Sequence, residues 1–234
     1  MLGPDHPDIL AARLKLAMLT ALTGDPAAAR DQCAALLPDL ERVLGADNLS
    51  SINSRLHLAM FTGQAGDPAD ARDQCAALLP DARRSLGGDH ESTLATRFEL
   101  AHWTGIAGDP AAARDQLAAL LLDVKWAPGA QGRYVLATRA ELAHYTGLAG
   151  DPAAARDQLA VVLADEQRAL GQDYPDTLRT RLRLATHTGR AGDPAAARDQ
   201  LAALLRDSER MFGPEHPSTQ AARKALDYWK RQAE

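Results

Sequence analysis

Apolar residues near the start of the chain fall at three-and-four spacing. Leu10, Leu14 and Ala17, with Leu16 and Leu19 beside them, predict a helix over Asp8 to Leu22. Gly24 ends it. Asp25 is placed to accept backbone N–H bonds as an N-cap, and Pro26 takes the first helical position, where its missing N–H costs nothing. A second helix follows, with Ala29, Cys33, Leu36, Leu37, Leu40 and Leu44 on one face and Arg42 in its last turn. A Leu-Gly loop then closes the unit. Gly-Asp-Pro recurs at Gly24, Gly66, Gly108, Gly150 and Gly192, every step 42 residues. Leu16, Leu58, Leu100, Leu142, Leu184 and Leu226 keep that register, as do Ala17, Ala59, Ala101, Ala143 and Ala185. A period of this length, with no insertion, marks a repeat array rather than a globular domain. The units read as 3–44, 45–86, 87–128, 129–170 and 171–212, with a polar carboxyl-terminal capping helix over 213–234. The expected fold is all-α: one solenoid over 1–234, eleven helices, no strand, each unit touching only its neighbours.

Composition changes this picture little. Hydrophobic residues make up 46% and charged residues 24%, which fits a soluble folded chain and disfavours disorder and membrane-embedded classes. A net charge of -5 gives no footprint for a polyanion, so nucleic acid is not an expected partner. Arg13 and Lys15 interrupt the first apolar run; neither export nor a membrane anchor is signalled, and the expected setting is cytoplasmic. Cys33 and Cys75 occupy equivalent positions in adjacent units, about one helix spacing apart, which predicts free buried thiols rather than a disulfide. The chain has no Gly-x-x-x-x-Gly-Lys phosphate loop, Gly-x-Ser-x-Gly, Cys-x-x-Cys or His-Glu-x-x-His. No enzyme, cofactor or catalytic residue is expected.

The run Leu-Ala-His-Tyr-Thr-Gly-Leu-Ala-Gly-Asp-Pro-Ala-Ala-Ala-Arg-Asp-Gln-Leu over 142–159 and the loop Leu-Gly-Pro-Asp-His-Pro-Asp over 2–8 carry a resemblance that extends over essentially the whole chain. It resembles a tetratricopeptide repeat array of the 42-residue kinesin light chain type. The alanine-rich wording is similar to repeats of actinobacterial signalling proteins, in which such arrays often accompany an NTPase module. The resemblance implies a right-handed superhelix whose first helices line a concave groove, and a non-enzymatic scaffold that binds a peptide or partner helix there, as the recognition part of a larger signalling protein.

On that reading the groove columns are Leu14, Leu56, Phe98, Ala140 and Leu182; Lys15, His57, Glu99, Glu141 and Arg183; and Met18, Met60, His102, His144 and Thr186. Their chemistry changes from unit to unit while the framework columns do not, as a groove reading successive ligand side chains requires. Peptide-binding members of the family usually carry asparagine where this chain has Lys15, His57, Glu99, Glu141 and Arg183, so side-chain recognition is expected in place of a clamp on the ligand backbone. An amphipathic segment with basic residues suits an apolar end at Leu14, Met18, Leu56 and Met60 followed by the acidic middle. Glu99-x-x-His102 and Glu141-x-x-His144 also have the spacing of dimetal ligands, but the two further glutamates are missing and hydrogen bonding within each pair is the expected arrangement.

The alternatives from other classes are self-association, as end-to-end assembly or as a homodimer through the amino-terminal helices, whose Leu10 and Leu14 lack a preceding helix, and a metal or small-molecule site at Glu99, His102, Glu141 and His144. Two further columns are read as structure. Leu19, Phe61, Trp103, Tyr145, His187 and Trp229 should face the paired helix. Arg13, Arg55, Arg97, Arg139, Arg181 and Arg223 should be neutralised by Asp31, Asp73, Asp115, Asp157 and Asp199 on the second helices. The join around Trp126, Pro128, Gly129, Gly132 and Tyr134 departs from the Leu-Gly pattern; it is either a hinge or ordinary loop variation.

Overall fold

The computed structural model describes residues 3, 5–124 and 132–233. Among them lie eleven helices and no strand: α1 (Pro7–Leu22), α2 (Pro26–Leu44), α3 (Leu49–Gln64), α4 (Pro68–Leu86), α5 (Glu91–Ile106), α6 (Pro110–Val124), α7 (Gly132–Leu148), α8 (Pro152–Ala169), α9 (Pro175–Arg190), α10 (Pro194–Phe212) and α11 (Pro217–Gln232). The chain forms two compact units, Met1–Ala130 and Gln131–Glu234, and within each the successive helices pack against one another. No helix is long and apolar enough to cross a membrane among the described residues.

The turn inside each pair follows from the sequence. Gly24 adopts φ 97°, as Gly66, Gly108, Gly150 and Gly192 do at 107°, 109°, 115° and 102°, a region that side chains with a Cβ rarely occupy. The next residue caps the second helix: the Asp25 carboxylate accepts from the Ala28 N–H at 2.9 Å, and Asp67, Asp109, Asp151 and Asp193 repeat the bond. Caps on the first helices were not foreseen. His6, His90 and His216 accept at Nδ1, and Asn48 at Oδ1, from the N–H two residues on.

Phe61, Trp103, His187 and Trp229 each rest on the preceding pair. Trp103 is buried with Ile52, Leu56, Ala59, Ala71 and Cys75, Phe61 with Ala17, Ala29 and Cys33, and Trp229 with Ala185, Ala197 and Leu201. The rings come so close that helical glycines are required beneath them. A methyl at Gly63 would lie 2.5 Å from Trp103, one at Gly189 2.5 Å from Trp229, and one at Gly147 2.3 Å from His187. The aromatic column is therefore core from Phe61 onward. Leu19, its first member, is 58% exposed, because no described helix precedes α1.

The arginine column is ion-paired, but with different partners from those expected. Arg13, Arg55, Arg97, Arg139 and Arg181 reach Asp39, Asp81, Asp123, Asp165 and Asp207 at 2.7–2.8 Å, and Arg223 reaches Glu209 at 2.8 Å. Asp31 and its equivalents Asp73, Asp115, Asp157 and Asp199 bind the arginine immediately before them on the exposed side of the second helix. Eight residues separate Asp31 from Asp39, slightly over two helical turns, and only the later carboxylate lies opposite the first helix's arginine. Arg13 and Arg42 hold the Asp39 carboxyl below its usual range, and Arg55 with Arg84 does the same for Asp81.

Leu10 is another correction. It is fully buried against Leu36 and Leu40 of α2, with Leu14 packed beside it, so the paired helix alone suffices to cover it. The apolar surface left open on α1 is instead Leu16, Met18, Leu19 and Leu22. At the other end α11 exposes Lys224, Asp227, Lys230 and Arg231. Cys33 and Cys75 are free and buried, and burial raises their thiols to about 11 and about 12. Trp126, Pro128 and Gly129 lie outside the described residues; Gly132 opens α7.

Candidate functional site

Within each unit the first helices of successive pairs touch one another, α1 with α3 and α3 with α5 in one, α7 with α9 and α9 with α11 in the other. The backbones of the second helices α2, α4 and α6, and of α8 and α10, stay apart. First helices therefore crowd the inner side of each unit, and the variable columns lie on them.

In the unit holding α1 to α6, Lys15 and Met18 are exposed, Leu56 is buried, and Leu14, His57, Met60, Phe98, Glu99 and His102 are half-buried. Leu56 belongs to the core and Met60 packs on its flank. The His57 ring lies 6.0 Å from Phe61, and its Nδ1 is 2.7 Å from the Asn53 carbonyl oxygen. His102 packs edge-on against Trp103 with centroids 4.8 Å apart. On this face Met60 packs against the core, and the His57 and His102 rings lie against aromatic neighbours of their own helices.

The unit holding α7 to α11 is built differently. Glu141 is 3% exposed, and its Oε1 accepts from Arg183 NH2 at 2.7 Å. Its carboxylate is neutralised by the cation of the next pair in its own column. His144 Nδ1 lies 3.1 Å from His187 Nε2, rings at 65°. Glu141 and His144 thus each bond across to α9, to partners 42 and 43 residues away. Burial, then the Arg183 charge, pushes His144 down to about 3; burial with Arg190 and Arg183 pushes fully buried His187 to about 4. Both are neutral at pH 7, so one imidazole donates to the other. No cluster of three or more metal-ligating side chains occurs among the described residues. The arrangement can cross-link α7 to α9; Leu182 lies half-buried next to it.

Sequence reasoning missed Glu166. It stands where the other second helices carry Leu40, Ala82, Val124 and Ser208, yet is 1% exposed, with its Oε2 unpartnered. Desolvation raises its pKa, opposed by the Thr180 hydrogen bond. A single acid in an otherwise small or apolar column was the available signal.

Two family models match, each described as a tetratricopeptide repeat, over residues 48–121 and 177–218. The matched segments are tetratricopeptide repeats, and the fold of the described residues is that of a tetratricopeptide repeat array. Solved structures with this fold include a Podosopora anserina protein assigned as a kinesin light chain with nearly identical TPR-like repeats, at TM-score 0.67 and 21% identity over 88% of this chain and 98% of that one. BtubC (BKLC) from P. vanneervenii matches at TM-score 0.69 and 19% identity, over 90% of this chain and 83% of that one. A Rap protein complexed with competence and sporulation factor matches at TM-score 0.71 and 11% identity, over 94% of this chain and 64% of that one. At such identities the tetratricopeptide repeat array shares a fold with these proteins. Among curated proteins none matches the chain.

Proposed function

We propose that this array is a non-enzymatic protein-interaction scaffold, a single solenoid that binds a peptide or partner helix along the inner face of its first helices. One observation carries the reading. A buried framework that repeats almost without change, such as Ala17, Ala59, Ala101, Ala143 and Ala185 at 0–1% exposure, holds up columns whose side chains change class along the array, from Lys15 through His57 and Glu99 to Arg183. Half-buried apolar groups beside fixed polar tips are the equipment of peptide recognition. A Rap protein of the same fold is complexed with a factor, which supports the reading by analogy of fold.

The partner is an amphipathic segment, its apolar residues against Leu56, Met60 and Phe98 and a basic residue toward Glu99. At Glu141 a ligand cation has to compete with Arg183, so the acidic reading is weaker in that unit. A cytoplasmic setting fits two unpaired thiols. Selection from a displayed random-peptide library tests the proposal. Selected peptides should be apolar and basic, should lose affinity tenfold or more for Phe98→Ala while that variant still unfolds cooperatively, and should protect first-helix amides from exchange. Peptides that protect the second helices instead, or that ignore both Phe98→Ala and Glu99→Gln, refute it.

Self-association is the second reading, favoured by the exposed Leu16, Leu19 and Leu22 of α1. Sedimentation over a wide concentration range decides it: a monomer throughout removes it.

A further inference from the structure

A small cavity opens between α9 and α11, above α10. It measures about 250 Å³ and its walls are mostly apolar: Leu178 and Leu182 from α9, Leu204 from α10, Pro217 and Ala221 from α11. Arg179 and Ser218 line it as well, the Arg179 guanidinium being tied to Asp176 at 2.8 Å. Drug-sized ligands need about 300–1,000 Å³, so this volume suits one side chain.

Ser208 also lines the cavity, from α10, the helix that lies beneath the other two. It is 1% exposed and its Oγ has no hydrogen-bond partner. Helical threonines of the first helices bond the carbonyl four residues back, as Thr62, Thr104, Thr146 and Thr188 do, whereas the Ser208 hydroxyl, like that of Ser54, makes no such bond. One pair earlier the same column holds Glu166, whose longer side chain reaches Thr180. The shorter serine at 208 leaves both room and an unsatisfied hydroxyl.

We propose that this pocket takes the side chain of a tyrosine from the bound peptide, its ring against the leucines and its phenol on Ser208 Oγ. The proposal rests on the groove reading above and names its anchor. Leucine or phenylalanine would fill the walls and leave the hydroxyl orphaned. A carboxylate would be buried against apolar walls at much greater cost. Indole carries its N–H on the flank of a wider ring. A phenol places its polar atom at the tip and both donates and accepts.

The test uses two fragments, N-acetyl-tyrosinamide and N-acetyl-phenylalaninamide, titrated into the full chain and followed by amide NMR. Tyrosinamide should shift the amides around Leu178, Leu182 and Ser218 and bind about three- to tenfold more tightly than phenylalaninamide, the range one net hydrogen bond supplies. Ser208→Ala should abolish that preference while leaving the free protein at least as stable, since an orphaned hydroxyl is removed. Ala221→Leu should block both fragments. Equal binding of the two, shifts centred elsewhere, or no binding at tens of millimolar overturns the assignment. Library peptides that occupy the groove without a tyrosine and ignore Ser208→Ala defeat this proposal and leave the groove reading standing. A fragment that binds here while no library peptide binds at all does the reverse.

Discussion

Replacing Gly63 by alanine tests the way neighbouring pairs are joined. The added methyl would sit 2.5 Å from Cη2 and Cζ3 of Trp103 and 2.6 Å from Cε3, about 1 Å inside carbon–carbon contact. The ring cannot retreat, because it is 6% exposed and walled by Leu56, Ala59 and Cys75. Overpacking of this kind costs about 1–3 kcal/mol, and a rigid ring puts the cost at the upper end. Alanine regains about 1 kcal/mol over glycine in a helix interior. Gly63→Ala should therefore lose about 2 kcal/mol net. In a Trp103→Leu background the obstacle is gone and the sign reverses: Gly63→Ala should there gain about 1 kcal/mol. Urea unfolding followed by far-ultraviolet circular dichroism, on all four members of the cycle, gives the coupling, about 3 kcal/mol. The same loss in both backgrounds would mean that the glycine serves the backbone of α3 and not the ring of α5, and the packing argument would fail.

Three further outcomes are expected. Because His144 and His187 titrate lower in the folded chain than the ordinary 6.5, protonation favours the unfolded state; stability is complete above pH 6.5 and should fall as pH drops toward about 4, and His187→Tyr, which installs the residue its column has at Tyr145, should flatten the pH 6.5–4.5 part of that slope. Asp81→Ala should cost about 0.5–1 kcal/mol, whereas Asp73→Ala, losing only an exposed contact along one helix, should stay within about 0.3 kcal/mol in the same denaturation assay; equal losses would reinstate the pairing first expected from the sequence. Glu166→Gln should raise the urea midpoint at pH 7, since the folded-state pKa of Glu166 is raised and its ionisation weakens the fold as pH climbs through that value, and no gain at pH 7 with an unchanged pH profile would show that the carboxylate is satisfied after all.

The parts of the fold set by local rules were legible in advance. Gly24 with Asp25 and Pro26 specifies a stop, a cap and a start within three residues, so helix ends came out within a residue of expectation, α1 opening at Pro7 instead of Asp8. Contacts between helices were less legible. Asp31 and Asp39 share a helix and a charge, and which one meets Arg13 depends on where the helix turns toward its partner. The same holds for Glu141, whose ion pair with Arg183 on α9 could not be read from its neighbours in sequence. The groove columns rest on a pattern of variation alone, and the histidine caps were not legible, because imidazole as an acceptor for a helix N–H is not among the usual cap residues. The cavity at Ser208 arises from a missing volume, which no single residue announces.

The rings that Phe61, Trp103, His187 and Trp229 lay on the preceding pairs also have consequences for the chain's ancestry. An array copied from one ancestral segment could in principle lose or gain whole segments freely, but the seats are not all alike. Ala21, where later pairs carry Gly63, Gly147 and Gly189, lies against the cluster that receives Phe61, the smallest buried six-membered ring of the column. Excising residues 45–86 would bring Trp103 onto Ala21, whose methyl stands where Gly63 leaves space, whereas a duplicated copy of the same segment would meet Gly63 and fit. Additions after the second segment are thus sterically permitted and its loss is not, so the order of segments is guarded by one methyl group.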